Sequence, residues 1–186
     1  MRNTSRAIFI SCIVFALFGT PVSAYPPGLP LTVALTPDMI APGSGSTTLW
    51  VGNAHPKSKV TIKSTSGIAF SSYPTSRSVT KNFSGFRPGI YSFSVSSARY
   101  GTYRGEVRSA TLFVPGVSVS TVGRVTEATL VKVYAAKPGT IITIKPTAGS
   151  KVKKSIVFKM GGYSTSAIVK IPAKTFIKGS ANSFVV

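Results

Sequence analysis

Val60-Thr61-Ile62-Lys63 is followed 82 residues later by the near copy Ile142-Thr143-Ile144-Lys145, and this pair of stretches decides the fold. Both stretches alternate apolar and polar residues, which is typical of a β-strand with one buried face. At the same offset, and without a gap, Leu49-Trp50-Val51 falls on Val131-Lys132-Val133. Parity along a strand fixes which face is buried, so the repeat predicts the same pair of strands with the same buried face in each half of the chain.

The rest of the chain consists of short β-branched or aromatic runs bounded by Gly, Pro, Ser and Asn, with almost no helical periodicity. This spacing predicts an all-β fold of two tandem antiparallel β-sandwich modules. Residues 109–114 resemble residues 180–185, and we interpret both as the closing strand of their module. We predict strands at residues 31–36, 47–53, 59–64, 77–83, 89–98 and 106–114 in the first half, and at 117–122, 128–135, 140–145, 155–160, 163–171 and 182–186 in the second.

The stretch Val114-Pro115-Gly116 marks a boundary between the two halves, because Pro ends a strand ladder and Gly permits a turn. We therefore predict a first module at residues 25–115 and a second at 116–186. A linker this short leaves two modules little freedom to move independently.

Three longer stretches carry a resemblance to a known family. They are Ala41-Pro42-Gly43-Ser44-Gly45-Ser46-Thr47-Thr48-Leu49-Trp50-Val51, then His55-Pro56-Lys57-Ser58-Lys59-Val60-Thr61-Ile62, and later Arg87-Pro88-Gly89-Ile90-Tyr91-Ser92-Phe93-Ser94-Val95. Together they resemble the bacterial immunoglobulin-like repeats of exported and surface proteins. The resemblance implies immunoglobulin-like sandwiches, a tyrosine corner at Tyr91, and a structural or adhesive role. The second module departs from the pattern, because Gly161-Gly162-Tyr163 replaces the Pro-Gly-Ile-Tyr entry.

The first 24 residues have the organisation of a signal peptide. Arg2 and Arg6 precede an apolar stretch at residues 7–18, and Val22-Ser23-Ala24 supplies small residues before a cleavage point. We predict cleavage after Ala24 and a secreted protein. The apolar stretch is too short to span a membrane. No transmembrane segment is expected in the mature chain either. The single cysteine, Cys12, lies within the peptide, so the mature chain has neither a disulfide nor a thiol metal site.

Positive charge is the most unusual property of this chain. Its 22 Lys and Arg residues against three Asp and Glu residues give a formal net charge of +19, or +17 once Arg2 and Arg6 are removed. Such a field attracts polyanions. Outside a cell these include anionic cell-envelope polymers and acidic polysaccharides, which would hold the protein at a cell wall by charge. Nucleic acid is the less favoured partner, and a purely solubilising role for the charge is the alternative interpretation.

The sequence carries no set of residues suited to catalysis. The mature chain offers His55, no cysteine, and three scattered carboxylates, Asp38, Glu106 and Glu127, whereas acid–base catalysis needs titratable groups brought together. We predict a protein that is not an enzyme and that uses no cofactor and no metal. His55 is interpreted as an exposed polar residue of a turn.

Two groups of residues are candidates for binding. Lys151, Lys153, Lys154 and Lys159 would bind a polyanion, although lysines on an edge strand also serve to block aggregation. Alternatively, Tyr100, Tyr103 and Arg104 in a predicted hairpin loop would bind a carbohydrate or another small ligand. Trp50 belongs to a wider group of aromatic residues that suggests ligand stacking.

Overall fold

The computed structural model describes residues 29–120, 128–147, 154–175 and 184–186. These residues form β-strands joined by turns, with one 3-10 turn at Ala173–Thr175. In this part of the chain, no helix is long and apolar enough to cross a membrane. The predicted signal peptide at residues 1–24 lies outside the described ranges.

The first seven strands form two antiparallel sheets. The three-stranded sheet has the order β1-β2-β5 and the four-stranded sheet has the order β4-β3-β6-β7. The strands are β1 (Thr32–Thr36), β2 (Ser46–Gly52), β3 (Val60–Ser64), β4 (Ala69–Ser72), β5 (Ser78–Ser84), β6 (Gly89–Ser97) and β7 (Glu106–Val114).

The inward residues of these two sheets meet in one core. Alternation places Leu49 and Val51 of β2 on the inside, and both are fully buried. Facing residues from β3, β6 and β7 belong to the same cluster, among them Val60, Ile62, Phe93, Val95, Leu112 and Val114. Burying one such side chain contributes about 1.5–3 kcal/mol, so this core is the main source of stability for the first pair of sheets.

After β1 the chain crosses from the first sheet to the second. The peptide bond between Thr36 and Pro37 is cis. Beyond it, Ile40 N donates to Phe113 O at 3.0 Å and Phe113 N donates to Asp38 O at 2.9 Å, in a short parallel pairing with β7. This crossing ties both sheets together at the end from which β7 leads into the second half.

The second half forms another pair of sheets, each with three strands, in the orders β12-β9-β8 and β11-β10-β13. The strands are β8 (Gly116–Val119), β9 (Thr129–Tyr134), β10 (Ile141–Pro146), β11 (Ile156–Lys159), β12 (Ser166–Ile171) and β13 (Phe184–Val185). A second cluster of buried residues draws on both sheets: Val131, Val133, Ala136, Ile142, Ile144, Met160, Val169 and Ile171.

The two halves meet closely at Gly116. A Cβ atom there would collide with the ring of Tyr134 and lie 2.7 Å from Cβ of Pro88, so any larger residue would force these neighbours to shift. Nearby, Lys137 Nζ lies 2.6 Å from Asp38 Oδ2, in an ion pair between the two halves of the chain.

The sequence predicts an all-β antiparallel fold, and the structure confirms it. Strand β4 was not predicted, because Ala69-Phe70-Ser71-Ser72 has little apolar alternation. The described end of residues 180–185 forms β13, the last of the described strands, but its position in the sheet differs from that of residues 109–114. Val185 pairs with Lys145, just as Ser94 of β6 pairs with Lys63, so β13 occupies a position like that of β6 and not of β7.

Candidate functional site

Three connections of the chain meet at the end of the first pair of sheets that lies away from Gly116. They are residues 53–59, residues 73–77 and residues 98–105. Ala54 N donates to the carbonyl of Arg77 at 3.0 Å, and Ala98 N donates to that of Lys59 at 2.9 Å. The buried hydroxyl of Ser58 also donates to the carbonyl of Ala98. Backbone hydrogen bonds therefore hold the three connections together.

A tight hairpin forms the tip of residues 98–105. Tyr100 N donates to Tyr103 O at 3.2 Å, and Tyr103 N donates to Tyr100 O at 2.9 Å. Gly101 has a φ of 57°, which a two-residue hairpin turn requires at its first central position and which glycine adopts without a steric cost. The turn fixes the two tyrosines opposite each other.

The two tyrosines have different surroundings. Tyr103 is buried, and its hydroxyl lies 2.9 Å from the hydroxyl of Ser97, which is also buried. Ser97 Oγ in turn accepts a hydrogen bond from Glu106 N at 3.2 Å. Tyr103 therefore anchors the hairpin to the sheet, whereas Tyr100 remains 43% exposed.

The ring of His55, on the neighbouring connection at residues 53–59, contacts both tyrosine rings. Its ring stacks on that of Tyr100 with centroids 5.0 Å apart and an angle of 27° between the planes. The ring of Tyr103 is tilted, with its centroid 5.5 Å from that of His55. His55 Nδ1 also accepts a hydrogen bond from Lys57 N at 3.2 Å. His55 does begin a turn, since its carbonyl accepts a hydrogen bond from Ser58 N at 2.9 Å, but its side chain is half-buried in an aromatic contact and not exposed as the sequence predicts.

The three connections that meet here also carry five exposed cations, and we call them the cationic end: Lys57, Lys59, Arg77, Arg99 and Arg104. Glu106 is the one described carboxylate nearby. It already accepts a hydrogen bond from Leu31 N at 3.1 Å and pairs with Arg108 at 3.0 Å. The other described carboxylate, Asp38, lies at the opposite end of the sheets, against Lys137. The cationic end therefore has a strong local excess of positive charge.

The lysines predicted to bind a polyanion are only partly described. Lys151 and Lys153 lie outside the described residues. Lys154 lies two residues before β11 and Lys159 is its last residue; both are exposed, and β11 is an edge strand among the described residues. Five residues of chain separate their Cα atoms by at most roughly 16 Å, and their odd spacing is that of opposite faces of a strand. The described residues alone therefore do not form a compact lysine cluster.

The alternative site at Tyr100, Tyr103 and Arg104 offers fewer ligand contacts than its sequence suggested. Tyr103 lies inside the structure, and one face of Tyr100 is covered by His55. Arg104 is exposed. What remains open to a ligand is one face of Tyr100 beside an arginine.

The chemistry of the cationic end is that of binding by charge and stacking. Within the described ranges, no group of three or more His, Cys, Asp and Glu side chains could hold a metal ion.

No family model matches this chain, and no curated protein matches it either.

Proposed function

We propose that this protein is a non-enzymatic, secreted binding protein of two immunoglobulin-like modules that associates with an anionic polymer of the cell envelope. In this proposal the cationic end of the first module makes the contact. The signal-peptide pattern of the sequence supports secretion. The second module is also positively charged.

The sheet arrangement of the first module supports the immunoglobulin-like assignment. Sandwiches of this kind pack a three-stranded sheet against a four-stranded one, with sequence-distant strands as neighbours. At the start of β6, the hydroxyl of Tyr91 donates to the carbonyl of Arg87 at 2.8 Å. A hydrogen bond of this kind is typical of a tyrosine corner, so it supports the assignment.

Matching local geometry supports the proposal that the modules are related. Asn53 and Ala135 are 82 residues apart, and they have positive φ angles of 61° and 56°. Each is followed by a buried alanine at the equivalent position. Left-handed conformations are uncommon outside glycine, so two at equivalent positions favour a shared turn design.

The observation that carries the binding proposal is the cationic end itself. Its five cations are exposed, and the described carboxylate beside them is paired with Arg108. A linear polyanion bound there would release condensed counterions, which makes the binding favourable at low salt. Loops held at the end of a rigid sandwich are also a common location for binding residues.

Two observations favour a polyanion over a small carbohydrate at this end. Burial of Tyr103 leaves Tyr100 as the one aromatic ring of the hairpin with a face open to a ligand. The exposed groups around it are cationic side chains, which suit phosphate or carboxylate groups better than neutral hydroxyls.

Binding to immobilised poly(glycerol phosphate) at low salt tests the proposal. The mature protein is compared with a loop variant, Lys57→Gln with Arg99→Gln and Arg104→Gln. A charge-matched control carries Lys63→Gln, Arg87→Gln and Lys132→Gln, three exposed cations outside the cationic end. A second-module variant replaces Lys151, Lys153, Lys154 and Lys159 with Gln.

We expect the loop variant to lose most of its binding and the charge-matched control to retain most of it. Equal losses in these two variants would show that net charge alone drives binding. Loss confined to the second-module variant would move the site to those lysines. Failure of the unmodified protein to bind at low salt would refute the proposed function.

A further inference from the structure

The outer face of the sheet β1-β2-β5 has a composition unlike the rest of this cationic chain. Three rows of outward positions run across all three strands. The rows are Thr32, Gly52 and Ser78; Ala34, Trp50 and Thr80; and Thr36, Thr48 and Asn82. None of the nine residues is charged, although the chain has a formal net charge of +19. We call these nine residues the Trp50 face.

Trp50 lies at the centre of this face and is 44% exposed. It is the one tryptophan of the chain, and it is turned to solvent while its neighbours in sequence, Leu49 and Val51, are fully buried. A large aromatic side chain is usually placed where its area is covered. An indole held open at the middle of a sheet face is therefore available for a ligand.

The sequence makes room for the indole to lie along the sheet. A Cβ atom on Gly52 would collide with Cη2 and lie 2.5 Å from Cζ2 of Trp50, so the six-membered ring extends over Gly52. Any side chain at position 52 would lift the indole from the sheet. With one face of the indole against the strand, the other is left for stacking.

The polar groups around the indole are hydroxyls and one amide. Thr80 lies directly beside Trp50 on β5, and Thr48 Oγ1 hydrogen-bonds with Asn82 Oδ1 at 2.8 Å in the next row. Strand spacing and the two-residue repeat make the three rows a patch of roughly 10 by 13 Å. This area is uncharged, flat and able to donate and accept hydrogen bonds around a single aromatic ring.

We propose that the Trp50 face binds a neutral polysaccharide, with one sugar ring stacked on the indole. The C–H groups of a pyranose carry partial positive charge and pack on the negative face of an aromatic ring. The sugar hydroxyls would meet the threonine, serine and asparagine side chains around it. None of the nine residues offers an ion pair to an anionic polymer, and the proposal does not depend on the cationic end, which borders this face where Arg77 precedes Ser78.

Fluorescence offers a direct test, because Trp50 is the one tryptophan of the chain. The mature protein is titrated with cellotetraose, chitotetraose, xylotetraose and maltotetraose at 50 mM and at 1 M NaCl. We expect at least one sugar to shift the emission to shorter wavelength and to reduce acrylamide quenching at both salt concentrations. No change with any of the four sugars at millimolar concentration would overturn the proposal.

Variants are compared by isothermal titration calorimetry with the sugar that binds best. Trp50→Ala should weaken binding at least tenfold, and Gly52→Val should weaken it while circular dichroism shows an intact fold. Tyr73→Ala is the matched control, because Tyr73 is an aromatic residue 67% exposed outside this face, and it should bind normally. Unchanged affinity in Trp50→Ala, or salt-sensitive binding that disappears with the loop variant, would also overturn the proposal.

Discussion

Ser97→Ala should destabilise the first pair of sheets by about 1–3 kcal/mol. The Ser97 hydroxyl is buried, lies 2.9 Å from the hydroxyl of Tyr103, and accepts a hydrogen bond from Glu106 N at 3.2 Å. Its removal leaves the Tyr103 hydroxyl and Glu106 N without the Ser97 hydroxyl as a partner. Tyr103→Phe removes one hydroxyl but leaves the bond from Glu106 N to Ser97 in place, so its cost should be about 0.5–1.5 kcal/mol.

The two substitutions together should cost less than the sum of their separate effects by about 1 kcal/mol, because the double variant has no stranded tyrosine hydroxyl. Urea unfolding followed by Trp50 emission and far-UV circular dichroism measures all four proteins. A Ser97→Ala variant within 0.3 kcal/mol of the original protein would refute the reasoning. So would additivity within about 0.3 kcal/mol, since it would show that the hydroxyls of Ser97 and Tyr103 do not interact.

Two further predictions concern packing. Gly116→Ala should lower the free energy of unfolding by about 1–3 kcal/mol, because the new methyl group collides with Tyr134; Gly162→Ala, with open space around it, is the control. Equal unfolding midpoints for these two variants would contradict the close contact at the junction. Thr47→Val should cost about 1 kcal/mol, because the buried hydroxyl donates to a backbone carbonyl at 2.6 Å, whereas the exposed Thr80→Val should change stability by less than about 0.5 kcal/mol. If Thr47→Val lowers the free energy of unfolding no more than Thr80→Val does, the buried hydroxyl of Thr47 does not stabilise the fold.

Much of the strand content could be predicted from the sequence, because alternation along a strand is a local property. The repeat around Val60 and Ile142 places both residues inside, and the structure buries both. The edge strand β4 was missed because few of its side chains enter the core, so its sequence carries little alternation. The pairing of β13 could not be predicted, because a short apolar run fits more than one position in a sheet equally well.

The site was harder to predict, because it depends on contacts between residues distant in sequence. His55 and Tyr100 stack across a separation of 45 residues, and no periodic pattern connects two loops. The burial of Tyr103 depends on Ser97, which sequence reasoning did not relate to it. The sequence suggests Trp50 for ligand stacking only as one of many aromatic residues, although the parity of Leu49 and Val51 already requires its side chain to face outward.

The salt dependence of binding to poly(glycerol phosphate) tests the central claim most directly. If the five cations of the cationic end each neutralise one phosphate, the logarithm of the binding constant should fall with the logarithm of salt concentration at a slope of about −3 to −4. The loop variant, which lacks three of these cations, should have a slope smaller in magnitude by about 2, while the charge-matched control keeps the original slope. An unchanged slope in the loop variant would contradict the account and place the polyanion contact elsewhere on the molecule.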